Sequence, residues 1–200
     1  MRVLLLGATG NLGSRLIPAL LVQGHIVIAS VRLREKLRTL IPASLLDRIT
    51  VVEGDALDSA TVENVLQTHD CDAIVNAAGT RARNGPQVLG RVAASVSSAA
   101  IRVGRRRGGQ PLRAWFIGGM GSLEYPGTGG WHIQDYLPGW MSEHHRQTEA
   151  VMRAVSTADL KWTLLCVAMM KPRSTVVEVV EQPRGKGREM SVATRLQILA

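Results

Sequence analysis

The chain opens on a short run of apolar residues. Arg2–Leu6 reads Arg-Val-Leu-Leu-Leu without polar alternation and turns at Gly7. Such a run, bounded by glycine, predicts a strand buried on both faces, the pattern of parallel sheets. Asn11 to Gln23 then carries apolar residues at helical spacing; Gly24 stops it and Pro18 is expected to kink it. The alternation continues. His25–Val31 predicts a second strand, Leu33–Leu40 a basic helical piece ending before Pro42, and Arg48–Glu53 a third strand. Ser59–Thr68 predicts a helix with Ser59 as N-cap. Asp72–Asn76 is a fourth strand, Pro86 opens a helix to about Val103, and Leu112–Ile117 is a fifth strand. Ser142–Ser156 follows as a helix and Leu160–Val167 as a sixth strand. Strands alternating with helices at this spacing predict an α/β single domain built on a doubly wound parallel sheet.

Two stretches break the pattern. Gly118–Gly139 is rich in glycine, proline and aromatics, with Trp131, Tyr136 and Trp140, and is long enough to be a binding loop. From Lys171 onward the chain is basic and weakly patterned. The expected division is a nucleotide-binding domain over residues 1–170 and a short basic tail over 171–200.

The segment between the first strand and first helix is Gly7-Ala8-Thr9-Gly10-Asn11-Leu12-Gly13. Each glycine there has a use. Gly7 permits a tight exit from the strand, Gly10 lets backbone approach a pyrophosphate, and Gly13 lets the helix pack closely. The phosphates would sit on free N–H groups at the positive end of the helix. The expected fold is therefore Rossmann-like, and the expected ligand a dinucleotide. At the end of the second strand, where an acidic residue would bind both ribose hydroxyls, the sequence has Arg32. A guanidinium there makes paired hydrogen bonds to a 2′-phosphate, which favours NADP(H) over NAD(H). Arg34, Lys36 and Arg38 read as a solvated basic face.

Length and composition narrow the class. Two hundred residues, nearly half of them hydrophobic, suit one globular domain with a sizeable core. No apolar run reaches the length of a membrane span, and the N-terminal run is too short for a signal peptide. Two cysteines, Cys71 and Cys166, make neither a disulfide framework nor a metal-ligand pattern, so the expected location is cytoplasmic with both thiols reduced. The net charge of +8 attracts polyanions in general. Its densest cluster, Arg105-Arg106-Arg107, precedes Gly108-Gly109 and reads as an exposed loop; without interleaved aromatics it does not predict nucleic-acid binding. The expected partner is a small-molecule substrate, with a homodimer as a candidate assembly.

GATGNLG at 7–13, the strand ending Ser30-Val31-Arg32, Gly54-Asp55, Asn76-Ala77-Ala78-Gly79 and the segment from His144 to Val167 resemble the short-chain dehydrogenase/reductase superfamily. The resemblance is to its atypical branch, with NmrA-like and biliverdin-reductase-B-like members, over residues 1–167. It implies that Gly7, Thr9, Gly10, Asn11, Leu12 and Gly13 hold the pyrophosphate, and that Asp55, with Ala56 beside it, meets the adenine amino group. Asn76, Ala77, Ala78 and Gly79 would line the ribose and nicotinamide side, and Gly118–Gly121 would flank the nicotinamide. The superfamily's catalytic Tyr-x-x-x-Lys is absent: Tyr125 and Tyr136 have no lysine four residues on. His144 and His145, which titrate near neutral pH, are the candidate acids, with Ser122 as a candidate carbonyl partner. The three histidines 132, 144 and 145 lack the carboxylate spacing of a metal site. The tail after the sixth strand is short, implying a truncated substrate region or an open pocket. The function expected is an NADP(H)-dependent oxidoreductase for a hydrophobic or aromatic small molecule. A dinucleotide-sensing regulator without catalysis and an isomerase or cyclase without hydride transfer are the alternatives.

Overall fold

The computed structural model describes residues 1–79, 88–123, 127, 129, 131–136 and 147–167. Six strands form one parallel sheet: β1 (Arg2–Leu6), β2 (Ile26–Val31), β3 (Thr50–Glu53), β4 (Ala73–Asn76), β5 (Arg113–Gly119) and β6 (Lys161–Val167). Their order is β3-β2-β1-β4-β5-β6. The helices are α1 (Asn11–Val22), α2 (Arg34–Arg38), α3 (Ala43–Leu46), α4 (Ser59–Thr68), α5 (Val88–Arg106) and α6 over residues 147–153. Short 3-10 turns span Met120–Ser122 and Ile133–Tyr136.

Strand order and the right-handed crossover together decide which face each helix covers. The chain moves one way across the sheet from β1 to β3 and the other way from β4 to β6. Alternate side chains of each strand therefore meet different helices. Leu5, Val27, Ala29 and Val31 pack with Ile17 of α1, Leu37 of α2 and Leu45 of α3. Leu4, Leu6, Ile28, Ile74 and Phe116 pack with Val62 and Leu66 of α4, Val96 and Ala100 of α5, and Met152 of α6. The predicted doubly wound domain is what forms.

Several local expectations need correction. The N-cap of α4 is Asp58, not Ser59: the Asp58 carboxylate accepts from Ala60 N–H at 3.0 Å and from the Thr61 hydroxyl at 2.5 Å. A carboxylate is the stronger acceptor at the positive end of a helix. The helix α1 continues past Pro18, which is buried within it. The strand β5 runs two residues further than predicted because Gly118 and Gly119 pair in register with Cys166 and Val167.

The basic cluster is not an exposed loop either. Arg105 and Arg106 form the last turn of α5, and all three arginines are paired. Arg105 meets Asp159, Arg106 meets Glu63, and Arg107 meets Asp70 at 2.8 Å while also donating to the Cys71 and Leu66 carbonyls. Arg102 adds a second guanidinium to Glu63, which is nearly buried on α4. Asp159, Asp70 and Cys71 all precede the strands they lead into, so these contacts staple the N-terminal edge of the sheet. Ligands bind in such folds at the opposite, C-terminal edge.

The central strands meet most closely at Gly7. It adopts φ +76, and a Cβ there would lie 2.5 Å from the Ala77 carbonyl carbon and the Ala78 nitrogen. Gly7→Ala should therefore destabilise the whole domain, by roughly 1–3 kcal/mol, because both the backbone conformation and the strand spacing resist it. Urea denaturation checks this; an unchanged midpoint would show that β1 and β4 can part without loss.

Candidate functional site

β1 and β4 pair side by side, but the strand order reverses at this pair, so the connections leave them towards opposite faces, the arrangement that forms a ligand crevice beyond the strand ends. Its floor is the turn after β1. Gly10 N–H donates to the Gly7 carbonyl at 2.8 Å, closing the turn, and Ser14 N–H donates to the Gly10 carbonyl as the first bond of α1. No side chain caps α1. The amides of Asn11, Leu12 and Gly13 therefore point out of the helix start as free donors for an anion. Arg15 donates back to the Asn11 carbonyl at 2.6 Å and to the Asn11 side-chain oxygen, fixing that side chain beside the turn. A Cβ on Gly13 would collide with the Gly7 carbonyl and the Ala8 Cα, so Gly13 serves the turn itself as well as the helix–sheet packing expected of it. Thr9 lies half-buried on the same turn.

The other sequence-predicted binding residues converge on this edge. Asn76 is buried, and its side-chain oxygen accepts from Ala78 N–H at 3.2 Å, shaping the turn after β4. Gly79 next to it faces open space. Arg32 is exposed at the end of β2 and pairs with no carboxylate among the described residues. Its neighbours are differently employed. Arg34 donates to the Val51 carbonyl at 2.6 Å and Arg38 pairs with Glu35 at 3.0 Å. Asp55 is exposed after β3, with Oδ1 accepting from Leu57 N–H at 3.0 Å. Ala56 lies half-buried beside it. A turn of free main-chain amides after β1, the exposed Arg32 after β2 and the Asp55 carboxylate after β3 thus share one rim. These residues fit a dinucleotide.

Of the candidate catalytic residues, only Ser122 falls among those described; His144 and His145 lie outside them. Ser122 ends the 3-10 turn after β5 and stands next to Glu149 of α6, a residue the sequence did not single out. Burial pushes the Glu149 carboxyl up, but the Ser122 hydroxyl, the Arg153 guanidinium and the charge of His132 outweigh it and hold it below its ordinary value. Arg153 donates to Glu149 Oε1 through two nitrogens, at 2.9 and 2.6 Å. The Ser122 hydroxyl is close enough to act on the carboxylate, yet Ser122 Oγ and Glu149 Oε2 are both buried without a well-formed hydrogen bond. Cys166, half-buried at the end of β6, has its thiol raised by burial and by Glu149. Burial pushes Cys71, at the opposite edge, up to about 11. Neither thiol is poised as a nucleophile. Among the described residues no group of histidine, cysteine and carboxylate side chains could hold a metal, and no helix is long and apolar enough to cross a membrane.

Comparison with known proteins agrees with this geometry. A family described as NAD(P)H-binding matches residues 7–196. A UDP-glucose 4-epimerase of Klebsiella pneumoniae is 31% identical over 87 residues, covering 41% of this chain and 61% of the epimerase. The chain thus spans less than two thirds of that relative. A candidate NADH-flavin reductase from Streptococcus pneumoniae superposes with a TM-score of 0.62 at 18% identity, over 84% of this chain and 71% of the other. A short-chain dehydrogenase/reductase from Veillonella parvula in complex with NADP gives 0.55 at 20% identity, over 83% and 68%. At such identities the two structures show a shared fold.

Two outcomes test the site. Gly10→Val sets a branched side chain at a position whose Cβ is already 3.1 Å from the Gly7 carbonyl oxygen. Affinity for NADPH, read by tryptophan fluorescence, should fall by more than about ten-fold, a loss above ~1.4 kcal/mol, with the circular dichroism spectrum retained. The Glu149 carboxyl titrates in the folded protein below its ordinary 4.5, so its stabilisation is present above that value and lost as pH falls through the folded one. Glu149→Gln should make urea stability fall less steeply between about pH 5 and pH 3; an identical acid limb would show that the carboxylate contributes nothing to folding.

Proposed function

The chain belongs to the NAD(P)H-binding family, and on that premise we propose that it is an NADP(H)-dependent oxidoreductase acting on a hydrophobic or aromatic small molecule in the cytoplasm. One observation carries the reading. The backbone cradle for phosphates lies at the C-terminal ends of the strands, and the segment that follows β5 on that side carries an exposed aromatic pair, Trp131 and Tyr136, with ring centroids 6.0 Å apart. Exposed aromatics beside a nucleotide site favour a flat, apolar partner.

The residues divide the work by position. Gly7, Thr9, Gly10, Asn11, Leu12 and Gly13 bind and orient the pyrophosphate. Arg32 takes the 2′-phosphate, Asp55 and Ala56 the adenine, and Asn76, Ala77, Ala78 and Gly79 the ribose on the nicotinamide side. The bound dinucleotide supplies a hydride at its nicotinamide ring. The sequence has no Tyr-x-x-x-Lys, so the accompanying proton comes from another side chain: Ser122 and the histidines of the 132–145 region are the candidates.

A second reading, isomerisation on a tightly held dinucleotide, is favoured by the similarity to the epimerase. It predicts no net oxidation of NADPH, whereas the reductase reading predicts stoichiometric oxidation with an aromatic acceptor.

The cofactor preference rests on Arg32. Losing one charge-assisted contact costs about 1.5–3 kcal/mol, or roughly ten- to a hundred-fold in affinity. Arg32→Ala should weaken NADPH binding by that factor and barely change NADH. Calorimetry with both cofactors and both proteins decides it: equal losses, or a wild-type preference for NADH, would remove Arg32 from the site.

A further inference from the structure

His132, Ser122 and Glu149 come together beyond β5 and β6 without any part in holding a dinucleotide. His132 opens the second 3-10 turn, and its Nδ1 lies 3.0 Å from the Ser122 carbonyl oxygen. A carbonyl can only accept, so Nδ1 carries the hydrogen. That fixes the ring orientation and leaves Nε2 as the nitrogen that exchanges a proton. The main chain on either side is tied down too. His132 N–H donates to Asp135 Oδ2 at 2.8 Å, and Ile133 N–H donates to the Leu123 carbonyl at 3.0 Å. The half-buried imidazole is thus held on a pinned segment rather than on a free loop.

Glu149 on α6 is anchored through Oε1 by Arg153, leaving Oε2 buried on the Ser122 side. Asp135 lies on the histidine's own turn. Cys166 on β6, near Glu149, carries a raised thiol and stays neutral. The ring is oriented by the Ser122 carbonyl rather than by a carboxylate, and Arg153 is committed to Glu149.

We propose that His132 is a catalytic residue, the proton donor to an aromatic carbonyl substrate, with Ser122 as the positioning residue that orients its ring through the main-chain carbonyl. The proposal rests on the reductase reading above. The step balances: hydride adds to the carbonyl carbon, the C=O π pair moves to oxygen, and that oxygen takes the proton from Nε2–H of the imidazolium. The neutral ring is reprotonated from water. Trp131, adjacent in sequence, and Tyr136, four residues on, place aromatic surface beside the donor, which is why the carbonyl compound is an aromatic one.

Two measurements on the full chain test it. In nitrogen-15 NMR of the histidine rings, His132 should carry its hydrogen on Nδ1 when neutral. A ring protonated on Nε2 would overturn the arrangement whether or not a substrate is known. In kinetics with NADPH and a panel of aromatic aldehydes, ketones and quinones, His132→Gln should lower kcat by about 100-fold. NADPH affinity should be unchanged, and wild-type kcat should fall as rising pH strips the imidazole of its proton. Full activity in His132→Gln would overturn the role of His132 while leaving the reductase reading intact. A wild-type protein that binds NADPH and reduces nothing in the panel would overturn both.

Discussion

The close approach of Gly7 to Ala77 and Ala78 governs the rest of the structure. Parallel neighbours such as β1 and β4 stand side by side along their length, and the turn leaving β1 must fold back over the end of β4. Only a residue without Cβ, at φ +76, passes through that gap. Because the strand order reverses at this pair, α1 is sent to one face and α5 to the other, and a crevice opens where neither covers the sheet. The ligand cradle is thus a by-product of topology. Its donors are main-chain amides, and side chains matter there mainly by being absent.

Electrostatics staple the N-terminal edge of the sheet. A chain with a formal charge of +8 invites the idea of a polyanion surface. Its densest arginines instead cross-link α4, α5 and the segments entering β4 and β6, each opposite a carboxylate. Glu63, nearly buried between Arg102 and Arg106, is the centre of that staple. Removing either sign there would strand the other in a partly desolvated place, the costly way to break such a pair. At the C-terminal edge, Arg32 pairs with no carboxylate among the described residues.

The sequence made the strands and the phosphate turn legible because both are local. Uninterrupted apolar runs such as Val3–Leu6 and the spacing Gly7, Gly10, Gly13 need no knowledge of the fold. Elements set by partners were harder to read. The four-residue helix α3 is too short to show a period, and Gly118-Gly119 reads as a turn until β6 lies beside it. Arg105–Arg107 reads as a loop until Glu63, Asp70 and Asp159 arrive from elsewhere in the chain. The reaction end of the site was the least legible. Ser122 was picked out by its place after the fifth strand. Nothing in the spacing of Ser122, His132 and Glu149, separated by a glycine-rich stretch, announces that they meet.

The two ends of the crevice therefore carry information of different kinds. The phosphate end is written in backbone geometry, which many sequences can satisfy, and so it reports the family and little beyond it. Beyond β5 and β6, Ser122, His132 and Glu149 come from three elements: the turn after β5, the segment before Tyr136, and α6. Their juxtaposition depends on α6 docking against α5, where the Gln147 side chain accepts from Leu89 N–H at 3.2 Å and Gly90 leaves room for the Gln147 backbone. A change that shifted α6 by one residue would leave the fold and the cradle in place and carry Glu149 away from Ser122. Nucleotide binding in this architecture is thus set by the strands and the turn after β1, whereas the surroundings of Ser122 follow the placement of one helix.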